Sequence, residues 1–205
     1  MNIEVKRLGK KFQKNWIFRN LDYSFNSSKS YAVTGHNGSG KSTLLQVLIG
    51  FIPANEGTII FGKDGYQTTE DLLYQHYDII TPYLELIEEF TLMEFLKFHF
   101  SFKSLKVGCS IDDFVDKVYL TEDKDKEIKY FSSGMKQRLK LGLGFFSNSS
   151  LLLLDEPTSN LDEKGTKWYL DNVKEGLQNK LVIISSNQKN EYNFCDEIIH
   201  VPDFK

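Results

Sequence analysis

The stretch Gly35-His36-Asn37-Gly38-Ser39-Gly40-Lys41-Ser42 fits the pattern G-x-x-x-x-G-K-[ST], and that pattern constrains the fold more than anything else in the chain. It works only where a strand delivers the chain and a helix receives it. Glycines between them let backbone N–H groups turn inward around a phosphate without Cβ obstruction. Both flanks are present. Lys29 to Thr34 is a short β-rich run, and from Lys41 to Ile49 the residues Leu44, Leu45, Leu48 and Ile49 share one side of a helix that Gly50 and Pro53 stop. Chance yields the motif about once in a hundred chains of this length. The helix N-terminus adds its positive dipole end. Lys41 is placed for β- and γ-phosphate oxygens, and the Ser42 hydroxyl for Mg²⁺. His36 reads as a variable loop residue, because the pattern makes no demand there.

Leu151 to Leu154 is a wholly apolar strand that ends in Asp155-Glu156. The carboxyl edge of a parallel sheet is where α/β folds bind ligands. Asp155 there can orient a Mg²⁺ shell beside Ser42, and Glu156 can accept a proton from a water attacking a γ-phosphate. Alone, an Asp-Glu-Pro turn after a strand is at least as good a reading; the phosphate loop tips the balance. Some twenty residues earlier, Ser132 is set to cap the helix after Phe131, leaving N–H groups and a hydroxyl facing an anion. By itself that is an ordinary helix start.

The rest of the chain supplies an α/β frame. Ile3/Val5, Trp16-Ile17-Phe18 and Leu21/Tyr23/Phe25 alternate as sheet, and Gly57 to Gly62 reads as another strand. A helical region follows, with capping boxes expected at Thr91 and Ser110 and a solvated charge run over Thr121 to Glu127. Helices after Gly134 and from about Glu163 to Leu177 then alternate with the strands Leu151–Leu154 and Leu181–Ser185. Apolar strands alternating with helices belong to a parallel sheet covered on both faces. Neither an internal repeat nor a dividing linker is found, so one domain is expected in 205 residues. Charge excludes some functions: a net −3 and a pI near 5.8 give no basic excess, so no nucleic-acid partner is expected. Cys109 and Cys195 lie far apart, which fits a reducing cytoplasm better than a disulfide framework or a zinc site. The most apolar stretch, Leu141 to Leu154, is interrupted by Ser147-Asn148-Ser149-Ser150 and is too short to span a bilayer. The N-terminus reads as a strand rather than a secretion signal.

Taken together these residues resemble an ATP-binding cassette (ABC) ATPase along essentially the whole chain. Gly35–Thr43 is similar to the Walker A motif, Phe131–Met135 to the signature motif, Leu151–Glu156 to Walker B, and Ser159-Asn160-Leu161-Asp162 to the D-loop. Phe12 matches the aromatic that stacks on adenine, with Trp16 near enough to compete. The resemblance implies a P-loop NTPase (RecA-like) core of mostly parallel sheet, an N-terminal antiparallel β-subdomain and an inserted helical subdomain. Residues 1–80 would form the β-subdomain and first part of the core, 83–135 the helical insert, and 136–205 the rest of the core. It further implies ATP and Mg²⁺ as ligands. Gly35, Asn37, Gly38, Ser39, Gly40, Lys41, Ser42 and Thr43 would hold the phosphates, with Ser42 and Asp155 on the metal. Ser132, Gly134 and Asp162 would face the nucleotide of a second cassette in a head-to-tail dimer. A transmembrane permease would be the other partner, docking on the loop around Tyr83–Glu88, with the protein peripheral on the cytoplasmic face of the inner membrane.

Two positions depart from the family pattern. Pro82 stands where a glutamine opens the helical subdomain, with Gln75 seven residues early, and Asn187 stands where the switch histidine follows the last core strand. Asparagine can donate a hydrogen bond but carries no titrating charge, so slow hydrolysis led by Glu156 is expected. Only Pro202-Asp203-Phe204-Lys205 follow Val201, and no fused domain is expected. The leading function is the ATPase subunit of a multi-subunit transporter, ahead of a soluble non-transport cassette and of a regulatory cassette that barely hydrolyses.

Overall fold

A computed structural model describes residues 1–27, 29–63, 66–67, 75–176 and 180–205. Two long strands open the chain, β1 (Asn2–Phe12) and β2 (Asn15–Phe25). They pair antiparallel, and β4 (Glu56–Lys63) and the short β5 (Tyr66–Gln67) extend them into a sheet of order β2-β1-β4-β5. Register shifts after Val5, Leu8 and Lys10 bend this sheet, consistent with the twist that bulges impose.

The second sheet is all parallel, ordered β6-β7-β8-β3-β9, from Tyr77–Ile80, Leu151–Asp155, Leu181–Ser185, Ser30–Thr34 and Glu197–His200. The apolar runs of β7 and β8 are buried throughout, as strands covered on both faces must be. Their side chains divide by parity. Leu151, Leu153, Leu181 and Ile183 join a core with Tyr31, Val33 and the residues of α1 (Lys41–Leu48). Leu152, Leu154, Val182 and Ile184 join another with Leu139, Phe145 and Tyr169. One sheet thus walls off two cores.

The second core carries the helices α2 (Leu92–Phe102), α3 (Ile111–Lys117), α4 (Ser133–Phe146) and α5 (Glu163–Gly176). Both expected capping boxes form: Thr91 exchanges hydrogen bonds with Glu94, and Ser110 with Asp113, each worth about 1 kcal/mol. The Leu177 end expected for α5 lies outside the described residues. A four-residue helix, α6 (Lys189–Tyr192), connects β8 to β9.

At the amino edge of the parallel sheet a polar cluster is sealed in. Lys180, 2% exposed, donates to the carbonyls of Gly144 (2.7 Å) and Ser147 (2.9 Å) and to both serine hydroxyls of Ser147 and Ser149. Asp78 pairs with Lys103 at 2.9 Å and accepts from the Ser147 hydroxyl. Burial pushes the Lys180 ammonium down to about 8. This cluster ties the carboxyl ends of α2 and α4 to the sheet.

Candidate functional site

The opposite, carboxyl edge gathers the residues singled out above. β3 ends at Thr34, the chain loops through 35–40, and α1 begins at Lys41. Gly40 sits in a left-handed conformation with φ 106° and no side chain caps the helix; a Cβ there would lie 2.1 Å from Ile17 Cγ2. At Gly35 a Cβ would meet Ser39 Oγ at 2.5 Å. The loop is therefore a backbone cradle that only glycine allows at these two places. Within it the Ser39 hydroxyl is fully buried and has no hydrogen-bond partner among the described residues. Lys41, 6% exposed, folds back to donate to the carbonyls of Gly35 (2.9 Å) and His36 (3.4 Å). Asn37, Gly38 and Ser42 are exposed and Thr43 is half-buried. An uncapped helix start, a buried cation and an orphaned hydroxyl around one concavity fit an anionic phosphate chain.

Asp155 closes β7 and is 5% exposed; its Oδ1 accepts from Ser185 Oγ at 2.6 Å on the neighbouring strand. Glu156 follows, exposed, in a left-handed conformation with φ 45°, a geometry that costs a non-glycine residue about 1–2 kcal/mol. Its N–H donates to the Ser185 carbonyl at 2.9 Å, and its own carbonyl accepts from Ser159 Oγ at 2.8 Å. Among the described residues no group of three or more His, Cys, Asp or Glu could hold a metal. A Mg²⁺ bound by one carboxylate, one hydroxyl and phosphate oxygens needs no such group.

Past β8 the exposed Asn187 reaches the loop. Its amide lies 2.6 Å from Asn37 Oδ1, and with oxygen and nitrogen exchanged it also faces the Gly35 carbonyl and sits 3.3 Å from Lys41 Nζ. Pro82 lies just past β6, at this same edge. Gln75 precedes β6 and belongs to the opposite edge, about 13 Å away along a four-residue strand. Of the two, Pro82 is therefore the one at the edge that carries the cradle.

The register separates Phe12 from Trp16. Phe12 pairs directly with Asn15, so it shares a sheet face with Ile17, the residue that abuts Gly40. Trp16 lies on the other face, packed across Gly9 with the Arg19 guanidinium 4.4 Å above its ring. Phe12 remains 46% exposed.

Ser132 caps α4, accepting from the Met135 N–H at 3.2 Å, and Gly134 approaches the Asn160 carbonyl so closely that a Cβ would stand 3.3 Å from it. Asp162 Oδ1 accepts from the Gly165 N–H at 2.7 Å, which makes it the cap of α5. Ser132 and Asp162 are both exposed. Among the described residues, none of the three is hydrogen-bonded to Lys41, Asp155 or Glu156. Beyond Pro82, Tyr83 stands 91% exposed between grooves of about 460 and 550 Å³. Lys136 and Lys140 line the first, bonding Glu88 (2.5 Å) and the Pro82 carbonyl (3.3 Å).

Two buried polar residues of this edge escape sequence reasoning. Gln137 on α4 donates from Nε2 to the Pro157 carbonyl at 2.7 Å, and Glu191 on α6 accepts from the Thr158 N–H at 3.0 Å. Gln137 falls four and seven residues before the buried Leu141 and Gly144. A polar residue on the apolar stripe of a helix was the available signal. Nothing local marks Glu191.

A glycine cradle entering a helix, with an acidic pair on the next-but-one strand, defines a nucleoside-triphosphatase of the P-loop class. Residues 18–159 match the family model described as ABC transporter, and the chain belongs to that family. It is 33% identical to the ABC transporter ATP-binding protein YybJ of Bacillus subtilis, over 95% of this chain and 89% of that protein. It is 28% identical to the lantibiotic transport ATP-binding protein SrtF of Streptococcus pyogenes, over 98% of this chain and 84% of that one. Against the ribose import ATP-binding protein RbsA of Lactococcus lactis identity is 30%, and the chain spans 44% of that protein's length. Among solved structures, a putative ABC transporter ATP-binding protein from Pyrococcus furiosus superposes with a TM-score of 0.82 at 21% identity, each chain wholly covered. An ATP-binding cassette in a dimeric post-hydrolysis state with ADP and Pi gives 0.81 at 20% identity, over 97% of this chain and 93% of that one. The expected fold and family are both borne out.

Proposed function

We propose that the chain is the ATP-binding subunit of a multi-subunit ABC transporter, which binds and hydrolyses MgATP at a dimer interface to drive a separate membrane subunit. The convergence of the Gly35–Lys41 cradle, Asp155, Glu156 and Asn187 on one sheet edge carries this reading. Lys41 exchanges its loop carbonyls for phosphate oxygens, while the N–H groups of residues 38–43 surround them. Ser42 and Asp155 would hold Mg²⁺, which would supply charge neutralisation of the phosphates. Glu156 accepts the proton of the attacking water, and Asn187 donates a hydrogen bond beside the γ-phosphate. The half-exposed Phe12 ring, which the Lys10 ammonium approaches to 5.0 Å, stacks on the adenine.

Ser132, Gly134 and Asp162 serve the nucleotide of a second, identical cassette. Asp162 keeps one oxygen on its own helix cap and presents the D-loop through it. Two such sites related by a two-fold axis close one isologous interface. The exposed Tyr83 and the grooves beside it receive a helix of the membrane permease, which holds the protein at the cytoplasmic face. No helix among the described residues is long and apolar enough to cross a membrane. SrtF is named for lantibiotic transport and RbsA for ribose import, and the direction of transport in this chain rests with the permease.

Asn187 makes turnover slow. A second reading, a cassette that binds ATP and barely hydrolyses it, draws on Asn187 and Pro82. Steady-state phosphate release from the parent, Glu156→Gln and Asn187→His decides between them. Glu156→Gln should retain ATP and lose turnover by ~10²–10⁴-fold, and Asn187→His should raise it ~10-fold. A Glu156→Gln enzyme that keeps a measurable parent turnover removes the general-base assignment, and a parent that releases no phosphate above the protein-free background favours the regulatory reading.

A further inference from the structure

The turn after Glu156 is gripped from two directions. From α4, Gln137, 3% exposed, donates to the Pro157 carbonyl at 2.7 Å. From α6, Glu191, fully buried, receives both the N–H (3.0 Å) and the hydroxyl of Thr158 on its Oε1. These three bonds hold both sides of one peptide, Pro157–Thr158, directly behind the left-handed Glu156. Each arises on an element with a separate duty. The start of α4 carries Ser132 and Gly134, and α6 begins two residues after Asn187.

The Glu191 grip is expensive to maintain. Its Oε2 is buried with no hydrogen-bond partner among the described residues, and an unpaired carboxylate oxygen is disfavoured inside a protein. Tyr169 donates to the Glu191 backbone carbonyl at 2.9 Å, so the backbone of α6 is anchored without the carboxylate. The side chain is then explained by what its Oε1 does to Thr158. A non-glycine residue at positive φ persists only where its surroundings over-determine it; the Ser185 carbonyl and Ser159 hold Glu156 itself, and Gln137 and Glu191 fix the peptide that follows it.

We infer that Gln137 and Glu191 are positioning residues for ATP hydrolysis: together they clamp the Pro157–Thr158 peptide and aim Glu156, linking its placement to α4 and to the Asn187 segment. The inference rests on the reading of Glu156 as the general base. Both side chains are buried and spend their hydrogen bonds on the Pro157–Thr158 peptide, so the clamp acts on turnover and leaves binding alone. A shift of about 1 Å in a reacting group can cost ~10²-fold.

The test uses the full-length protein with Gln137→Met, Glu191→Ala, Glu191→Gln and Glu156→Gln. It reads ATP-binding stoichiometry, KM, kcat and thermal midpoint for each. Gln137→Met and Glu191→Ala should lower kcat ~10–100-fold with KM and bound ATP unchanged. Glu191→Gln keeps an acceptor oxygen for Thr158 and should recover most of the lost turnover. Thr158→Val, which deletes only the hydroxyl donor, gives an intermediate loss and stands in should Glu191→Ala fail to fold. The clamp is overturned if Gln137→Met and Thr158→Val turn over like the parent while Glu156→Gln is dead. It is overturned equally if turnover and bound ATP fall together, which marks a folding role. An active Glu156→Gln removes the general base itself, and with it the reason for a clamp.

Discussion

Lys41 and Lys180 lie at opposite edges of one parallel sheet, 6% and 2% exposed, and each edge also carries a buried aspartate and buried serines. At the amino edge the lysine and the aspartate have both found complements: Lys180 meets two carbonyls and two hydroxyls, and Asp78 meets Lys103 and Ser147. At the carboxyl edge Lys41 meets two carbonyls of its own loop, Ser39 Oγ has no partner among the described residues, and Glu156 is held at φ 45°. The same residue types make a staple at one end and a receptor at the other. What separates them is unsatisfied hydrogen-bonding capacity, and composition does not reveal it.

The largest expected effect tests the staple. Burial lowers the Lys180 ammonium from 10.5 to about 8, so the folded state releases its proton first as pH rises. Between about 8 and 10.5 the unfolded chain binds more protons, and stability should climb across that window, by up to ~3 kcal/mol. Below 8 that gain is absent. Urea melts of the parent and of Lys180→Met, compared at pH 7.5 and 10, isolate the contribution as the difference between their slopes. Parallel slopes would mean that Lys180 is solvated.

Next comes an exchange of the two lysines. Lys41→Met should weaken ATP binding ~10–100-fold and leave the melting temperature of the free protein nearly unchanged. Lys180→Met should do the reverse, altering stability with ATP affinity intact. Calorimetric titration with ATP beside thermal melts reads both, and a Lys180→Met protein that folds but rejects ATP would erase the distinction. The smallest effect belongs to the adenine platform. Phe12→Ala should weaken ATP ~2–10-fold, whereas Trp16→Ala, on the far face of the sheet, should leave binding within twofold. Equal losses would show that the strand register does not separate the two rings.

Sequence reasoning reached the carboxyl edge well and the amino edge hardly at all. The glycine cradle, Asp155 and Glu156 are encoded in contiguous residues whose spacing already states their chemistry, and the apolar runs of β7 and β8 announce burial on two faces. The choice between Phe12 and Trp16 stayed open because parity along a bulged hairpin is fixed only once Phe12 is seen opposite Asn15. Gln137 and Glu191 were missed because their partners, Pro157 and Thr158, lie 20 and 33 residues away. The Lys180 cluster draws on four elements, and no single window of sequence contains it. Asp162 was legible as part of a motif, but its own duty as the cap of α5 needed the geometry of Gly165.

The parity division of β7 carries a consequence for how such a chain tolerates change in length. Leu151 and Leu153 face the compartment shared with α1, and Leu152 and Leu154 face the helical side. One extra residue inserted within this strand would send each leucine to the wrong neighbours and rotate both terminal acids away from their stations. Lengthening therefore belongs to the connectors outside the sheet, and the strand itself works as a ruler whose count is fixed.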